Sequence, residues 1–146
     1  MILYTITLMY WGIIWFLTNN IRLTKQGRNL LFIFISAASL ILIMGLRDIS
    51  VGTDIERYFF IFENSHLFYH NKNFGIERGY ILFNLFFKNI GISFQWFLTF
   101  VSTFFVSSIS MMYYAYSKNV FLSFYLNFTM GLFQMSMSGL RQTIAI

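Results

Sequence analysis

Cysteine and proline are both absent from this chain, and charge is scarce. Among 146 residues only 10% are charged, against 58% hydrophobic and 22% aromatic. No cysteine means no disulfide framework and no thiol chemistry. No proline means that no helix is kinked by one. A soluble domain carries roughly 25% charged residues. Too little polar surface remains here to cover a water-soluble globule, and a bilayer is the natural solvent. The net charge of +5 does not point to nucleic acid, because the bases are scattered singly and form no stripe. Met1–Leu17 is apolar but lacks the basic start and small-residue cleavage site of a signal peptide. It reads as a retained span.

What is present is a set of long uncharged runs. A membrane helix needs about 20 apolar residues to cross a core of about 30 Å. Met1–Leu17, Asn29–Leu46, Ser93–Tyr116 (within the run from Asn89 to Ser117) and Asn119–Leu140 are the four that qualify. Gly79–Phe87 is too short to cross and is expected to be interfacial or re-entrant. Every span should be helical, because a helix satisfies its own backbone in lipid. The expected architecture is therefore all-α: one polytopic membrane domain over residues 1–146, with about four spans and interfacial or re-entrant helices in the 47–90 region.

Orientation follows from the bases. The turn after the first span carries Arg22, Lys25 and Arg28 and no acid, and positive loops stay cytoplasmic. The loop from Arg47 to Arg78 is then external. It holds all five acids: Asp48, Asp54, Glu56, Glu63 and Glu77. Lys118 falls inside, and Arg141 falls outside beside the acidic loop.

Three stretches break the apolar pattern. In the first, MGLRDISVGTDIERYFF, Arg47 and Asp48 end a span, and Val51-Gly52-Thr53-Asp54 reads as a turn into a helix. Thr53 and Glu56 have capping-box spacing, with Asp54 in the first turn. Ile55, Tyr58, Phe59 and Phe62 follow on one helical face. Helix capping alone accounts for Thr53 and Asp54, but not for Arg47. The second stretch places Glu77 just before the apolar helix that holds Gly79 and Tyr80. The third, Ser138-Gly139-Leu140-Arg141-Gln142, puts an ionisable residue between apolar runs, where it is costly and functional by default. Arg57, Lys72, Arg78 and Lys88 read as cations snorkelling to headgroups. Glu63, His66 and His70 could share a helical face, yet nothing fixes a further ligand and no metal site is expected. No Gly-rich phosphate loop, GxSxG or HExxH occurs.

Gly45-Leu46-Arg47, Val51-Gly52-Thr53-Asp54 with Tyr58, Glu77-x-Gly79-Tyr80 and Gly139-Leu140-Arg141-Gln142 with Ala145, taken in series, resemble the EpsG family of exopolysaccharide membrane proteins. That family is similar to the Wzy-type O-antigen and capsule polymerases. Its members are longer, and the chain stops in what reads as the start of a further helix. It is therefore expected to be an amino-terminal portion. The resemblance implies a multi-pass protein of the bacterial cytoplasmic membrane, without cofactor, that polymerises repeat-unit oligosaccharides carried on undecaprenyl pyrophosphate. Other polysaccharide export proteins would be its partners. Arg47 and Arg141 would stabilise the leaving pyrophosphate, and Asp54 or Glu77 would take the acceptor proton. Gly52, Thr53 and Gln142 would line the substrate. Tyr58 and Tyr80 would stack on sugars or belong to an interfacial aromatic belt. Two rivals remain: a flippase component, disfavoured because the charges cluster at one surface, and a non-enzymatic membrane subunit. An acyltransferase would have only His66 and His70 as bases.

Overall fold

The computed structural model describes residues 2–51, 54–70, 76–131 and 133. They form seven helices and no strand: α1 (Ile2–Asn19), α2 (Lys25–Gly45), α3 (Ile55–Glu63), α4 (Ser65–His70), α5 (Arg78–Asn89), α6 (Phe94–Tyr116) and α7 (Val120–Thr129). Two of the four expected spans, α2 and α6, are long and apolar enough among the described residues to cross a membrane. Helix α1 covers the first expected span and carries no charge. The fourth is described only over its first half, as α7.

Helix α2 starts four residues before the uncharged run. Thr24 caps it by accepting the Gly27 backbone N–H at 3.2 Å, which satisfies an otherwise orphaned donor and brings Lys25 and Arg28 into the first turns. Helix α6 begins after Ser93, as its sequence predicts. The short α5 spans about 18 Å at 1.5 Å per residue, too little to cross.

Helices α2 and α6 share the most extensive interface and run antiparallel. Gly45 at the end of α2 meets Gln95 and Thr99 near the start of α6. At the other end, Phe32 of α2 packs on Phe124, which also touches Tyr113 of α6. Arg22, Lys25, Arg28 and Lys118 therefore lie towards one end of the pair. Arg47 and the short helices that hold the acids lie at the opposite end.

Two aromatic clusters fill the interior. One joins α1, α2, α7 and the later half of α6 around Trp11, Phe32, Val106 and Phe124. The other joins α3, α5 and the first half of α6 around Ile55, Phe62, Phe87 and Phe97. The outward faces stay apolar: Met9, Phe34, Phe104 and Met111 are each more than 60% exposed. In α2 and α6 only 28% and 33% of the span is buried. A core helix of a water-soluble protein would bury most of it. These faces suit a hydrocarbon solvent.

Candidate functional site

Arg47 follows α2 directly and is the one charged side chain among the described residues that is buried, at 7% exposure. Burial pushes its guanidinium down to about 10, by desolvation, which still leaves it protonated at physiological pH. Its position is set by a tie between the two long helices. The Gln95 side-chain amide donates to the Gly45 carbonyl and, at 3.5 Å, to the Arg47 carbonyl. The Thr99 hydroxyl donates to the same Gly45 carbonyl at 3.2 Å. A helix leaves its last carbonyls without intrahelical partners, and here α6 supplies them. Gly45 makes the approach possible: a Cβ there would stand 3.1 Å from the Thr99 Cα. Close crossing at a small residue is how membrane helices gain packing energy without a hydrophobic drive between them.

Asp48 closes the turn after Arg47. Its carboxylate accepts the Ser50 backbone N–H at 2.9 Å and the Ser50 hydroxyl at 2.7 Å. Those bonds hold it below the usual carboxylate range.

Asp54 and Glu77 sit at equivalent places on neighbouring helices. Asp54 is the N-cap residue of α3 and Glu77 that of α5. About one turn on from each, Tyr58 and Tyr80 meet edge to face with centroids 6.0 Å apart. At the far ends Lys88 of α5 pairs with the Glu63 carboxylate of α3 at 3.1 Å, so α3 and α5 run parallel. Both acids therefore lie at one end of the α3–α5 pair, and both are exposed.

Several expectations change. The N-cap of α3 is Asp54, not Thr53, and its side chain makes no capping bond. Packing sets the start, since Ile55, the first helical residue, is fully buried. The buried face is Ile55, Tyr58, Ile61 and Phe62, with Phe59 only half covered. Tyr58 and Tyr80 are 4% and 6% exposed. Their rings belong to the packed cluster. Lys88 clamps α5 to α3 rather than snorkelling. Glu63 is thereby engaged and His66 is exposed; among the described residues no group of three or more His, Cys, Asp or Glu could hold a metal. Gly52, Thr53, Arg141 and Gln142 lie outside the described residues.

Sequence reasoning missed Gln95, Thr99 and Asn84. The first two were signalled by polar residues at i and i+4 on an apolar helix. Asn84 lies one turn beyond Tyr80 and is fully buried, and neither amide atom has a partner among the described residues.

A family model, that of the EpsG family, matches residues 30–146. The chain belongs to the EpsG family. The match begins inside α2 and takes in every stretch that interrupts the apolar pattern. EpsG membership and the apolar outer faces of α1, α2 and α6 make this a membrane protein. No curated protein and no solved structure matches the chain. Within this EpsG chain, the tie from Gly45 to Gln95 and Thr99 lies two residues before Arg47, so the Gly45-Leu46-Arg47 stretch is both a helix crossing and the seat of a buried cation.

Proposed function

We propose that this protein polymerises polysaccharide repeat units carried on undecaprenyl pyrophosphate, acting at the outer face of the bacterial cytoplasmic membrane. The carrying observation is Arg47: a guanidinium buried at the end of a long apolar helix, at the end of the molecule where the acids collect. An arginine keeps its charge when desolvated and offers a planar fork of donors that matches phosphate oxygens. A site poor in water strengthens its attraction for the negative charge that builds on a departing pyrophosphate. In this reading Arg141 supplies a second guanidinium, and Gln142 orients a phosphate or sugar oxygen. Gly52 and Thr53 would contact the substrate. Asp54 or Glu77 accepts the proton of the attacking sugar hydroxyl; both carboxylates are exposed and reachable. The bonds balance as a glycosyl transfer: the acceptor oxygen bonds the anomeric carbon, the carbon–phosphate-oxygen bond breaks, and lipid pyrophosphate leaves. EpsG membership supports this reading, as does a membrane setting that suits a substrate with a lipid tail. Other export proteins would receive the polymer.

Substitution in the full-length protein tests it. Arg47→Lys keeps the charge and loses the fork. Polymer yield should fall about a hundredfold, the usual loss for a preorganised oxyanion donor, while unpolymerised lipid-linked units accumulate outside. Wild-type polymer from Arg47→Lys removes the phosphate role. Accumulation on the cytoplasmic side would instead identify a flippase. Full activity in both Asp54→Asn and Glu77→Gln would eliminate both acids as the essential base.

A further inference from the structure

The end of the molecule remote from the acids carries cations that the proposed function does not use. Arg22, Lys25, Arg28 and Lys118 lie there, and among the described residues none of the four makes an ion pair. Ring packing fixes how three chain segments converge at that end. Trp15, Phe32 and Phe121 form a triad with centroids 5.4, 5.4 and 5.8 Å apart. Trp15 lies one turn before Asn19, Phe32 one turn after Arg28, and Phe121 three residues after Lys118. Asn19, Arg28 and Lys118 therefore stand over one aromatic floor. Arg28 is fixed there: its Nη1 donates to the Asn19 carbonyl at 3.1 Å and to Asn19 Oδ1 at 2.9 Å. Both bonds use one nitrogen, and the other donors of the guanidinium make no hydrogen bond among the described residues. A guanidinium already held in place loses less freedom when an anion docks. Lys25, three residues earlier on α2, shares the helix face of Arg28 and is exposed.

The charge calls for an anion, and the neighbouring side chains say where that anion sits. Ile21 and Leu23 flank Arg22, and Leu30 and Tyr116 lie close in the chain to Arg28 and Lys118; they are 45%, 47%, 49% and 85% exposed. A partner that came from water would leave these apolar groups wet. An anion at the edge of hydrocarbon lets them enter the acyl chains while the cations stay level with the head groups. We infer that the basic end binds the phosphate of an anionic phospholipid, with Arg28 as the fixed donor and Arg22, Lys25 and Lys118 as the surrounding charge. A zwitterionic lipid brings its own ammonium group, which these cations repel. A lipid such as phosphatidylglycerol brings the phosphate charge alone. The inference uses the end of the molecule opposite Arg47, and it stands or falls independently of the polymerase reading.

Photocrosslinking tests it. The full-length protein in phosphatidylcholine nanodiscs is irradiated with a small fraction of phosphatidylglycerol that carries a diazirine on its head group, and the labelled peptides are mapped by mass spectrometry. Labelling should concentrate on residues 19–28 and 116–121 and weaken in high salt. Unlabelled phosphatidylglycerol should compete for it; an equal excess of phosphatidylcholine, or of water-soluble glycerol phosphate, should not. Arg28→Gln should cut labelling about fivefold, the usual worth of one cation at an anionic surface and equivalent to about 1 kcal/mol. Arg28→Gln also loses the bonds to Asn19, so a second variant separates charge from structure. Lys25→Gln with Lys118→Gln breaks no hydrogen bond of the fold and should cut labelling at least as far. Arg57→Gln, at the opposite end, should label as wild type. Even labelling of both ends, equal competition by phosphatidylcholine, or full labelling of the Lys25→Gln, Lys118→Gln double variant would each overturn the lipid site. Displacement by glycerol phosphate as effective as that by the lipid would make it a site for free phosphate and overturn the inference too.

Discussion

The cluster around Trp11, Phe32 and Phe124 and the cluster around Ile55, Phe62 and Phe97 use the same edge-to-face and tilted ring packing, at opposite ends of α6. They differ in what the surrounding backbone demands. The first is bounded largely by α1, α2 and α6, helices of 18 to 23 residues that satisfy their own hydrogen bonds along their length. Two of its larger polar groups are paired: Trp11 Nε1 donates to the Ser39 hydroxyl at 3.1 Å, and the Asn127 amide to the Tyr113 hydroxyl at 2.6 Å. The second is walled by α3, α4 and α5, of 9, 6 and 12 residues. Three short helices present six ends, and each end leaves several backbone groups to be satisfied by water or side chains. Such ends are not tolerated facing hydrocarbon. The second cluster therefore suits the wet level of a membrane, where in the proposed function Arg47, Asp54 and Glu77 would meet a polar substrate. Equal packing chemistry thus serves an anchor at one end and a platform for charge at the other.

The largest test of this contrast is a matched pair of glycine substitutions. Gly45→Ala drives a methyl group against the Thr99 backbone and should destabilise the protein by about 1–3 kcal/mol, the usual cost of overpacking. Gly12→Ala, in the first cluster's α1, meets nothing within 4 Å and should be neutral or gain up to about 1 kcal/mol. Thermal unfolding in detergent compares the two. Equal effects would dissolve the distinction between a tight crossing and a loose one.

Next come the two asparagines, for which opposite signs are expected. Asn127→Leu removes the bond to Tyr113 and should cost about 1 kcal/mol; Asn84→Leu relieves a buried amide and should gain about 1–2 kcal/mol. If Asn84→Leu lowers the midpoint, the amide has a partner beyond the described residues. A smaller effect is expected at the partly exposed Lys88–Glu63 pair. Lys88→Met should cost less than about 1 kcal/mol, and less still in high salt.

The smallest effect concerns pH. The Asp48 carboxyl lies below its ordinary value because Ser50 donates two bonds to it. Its contribution to the turn is complete above the ordinary carboxylate value and is lost as pH falls through the lowered one. Protection of the Ser50 amide, relative to its intrinsic exchange rate, should fall over that window, and Asp48→Asn should abolish the dependence.

Much of this was legible in the sequence because it depends on local chemistry. The bounds of α6 follow from Ser93 and an uninterrupted apolar run. The shortness of α5 follows from Glu77, Arg78 and Lys88 on either side of nine uncharged residues. The amphipathic face of α3 shows in the spacing of Ile55, Tyr58 and Phe62. What was not legible depends on a neighbour distant in the chain. Gly45 reads as part of a motif until Gln95 and Thr99, some fifty residues on, arrive at its carbonyl. The contact of Tyr58 with Tyr80 needs α3 and α5 side by side. The pairing of Lys88 with Glu63 needs α3 and α5 to be parallel, which no local pattern specifies.

Gly91 carries a consequence of its own. Its φ of 81° lies in the half of conformational space that mirror-image amino acids prefer, so a D-alanine would fit where an L-alanine would strain the turn by about 1–2 kcal/mol. Gly91 thereby sets the turn through which α5 passes into α6, beside the ring contacts of Phe62 and Phe87 with Phe97. A protein carrying D-alanine at that one residue should keep the wild-type midpoint of thermal unfolding, while the L-form should lower it.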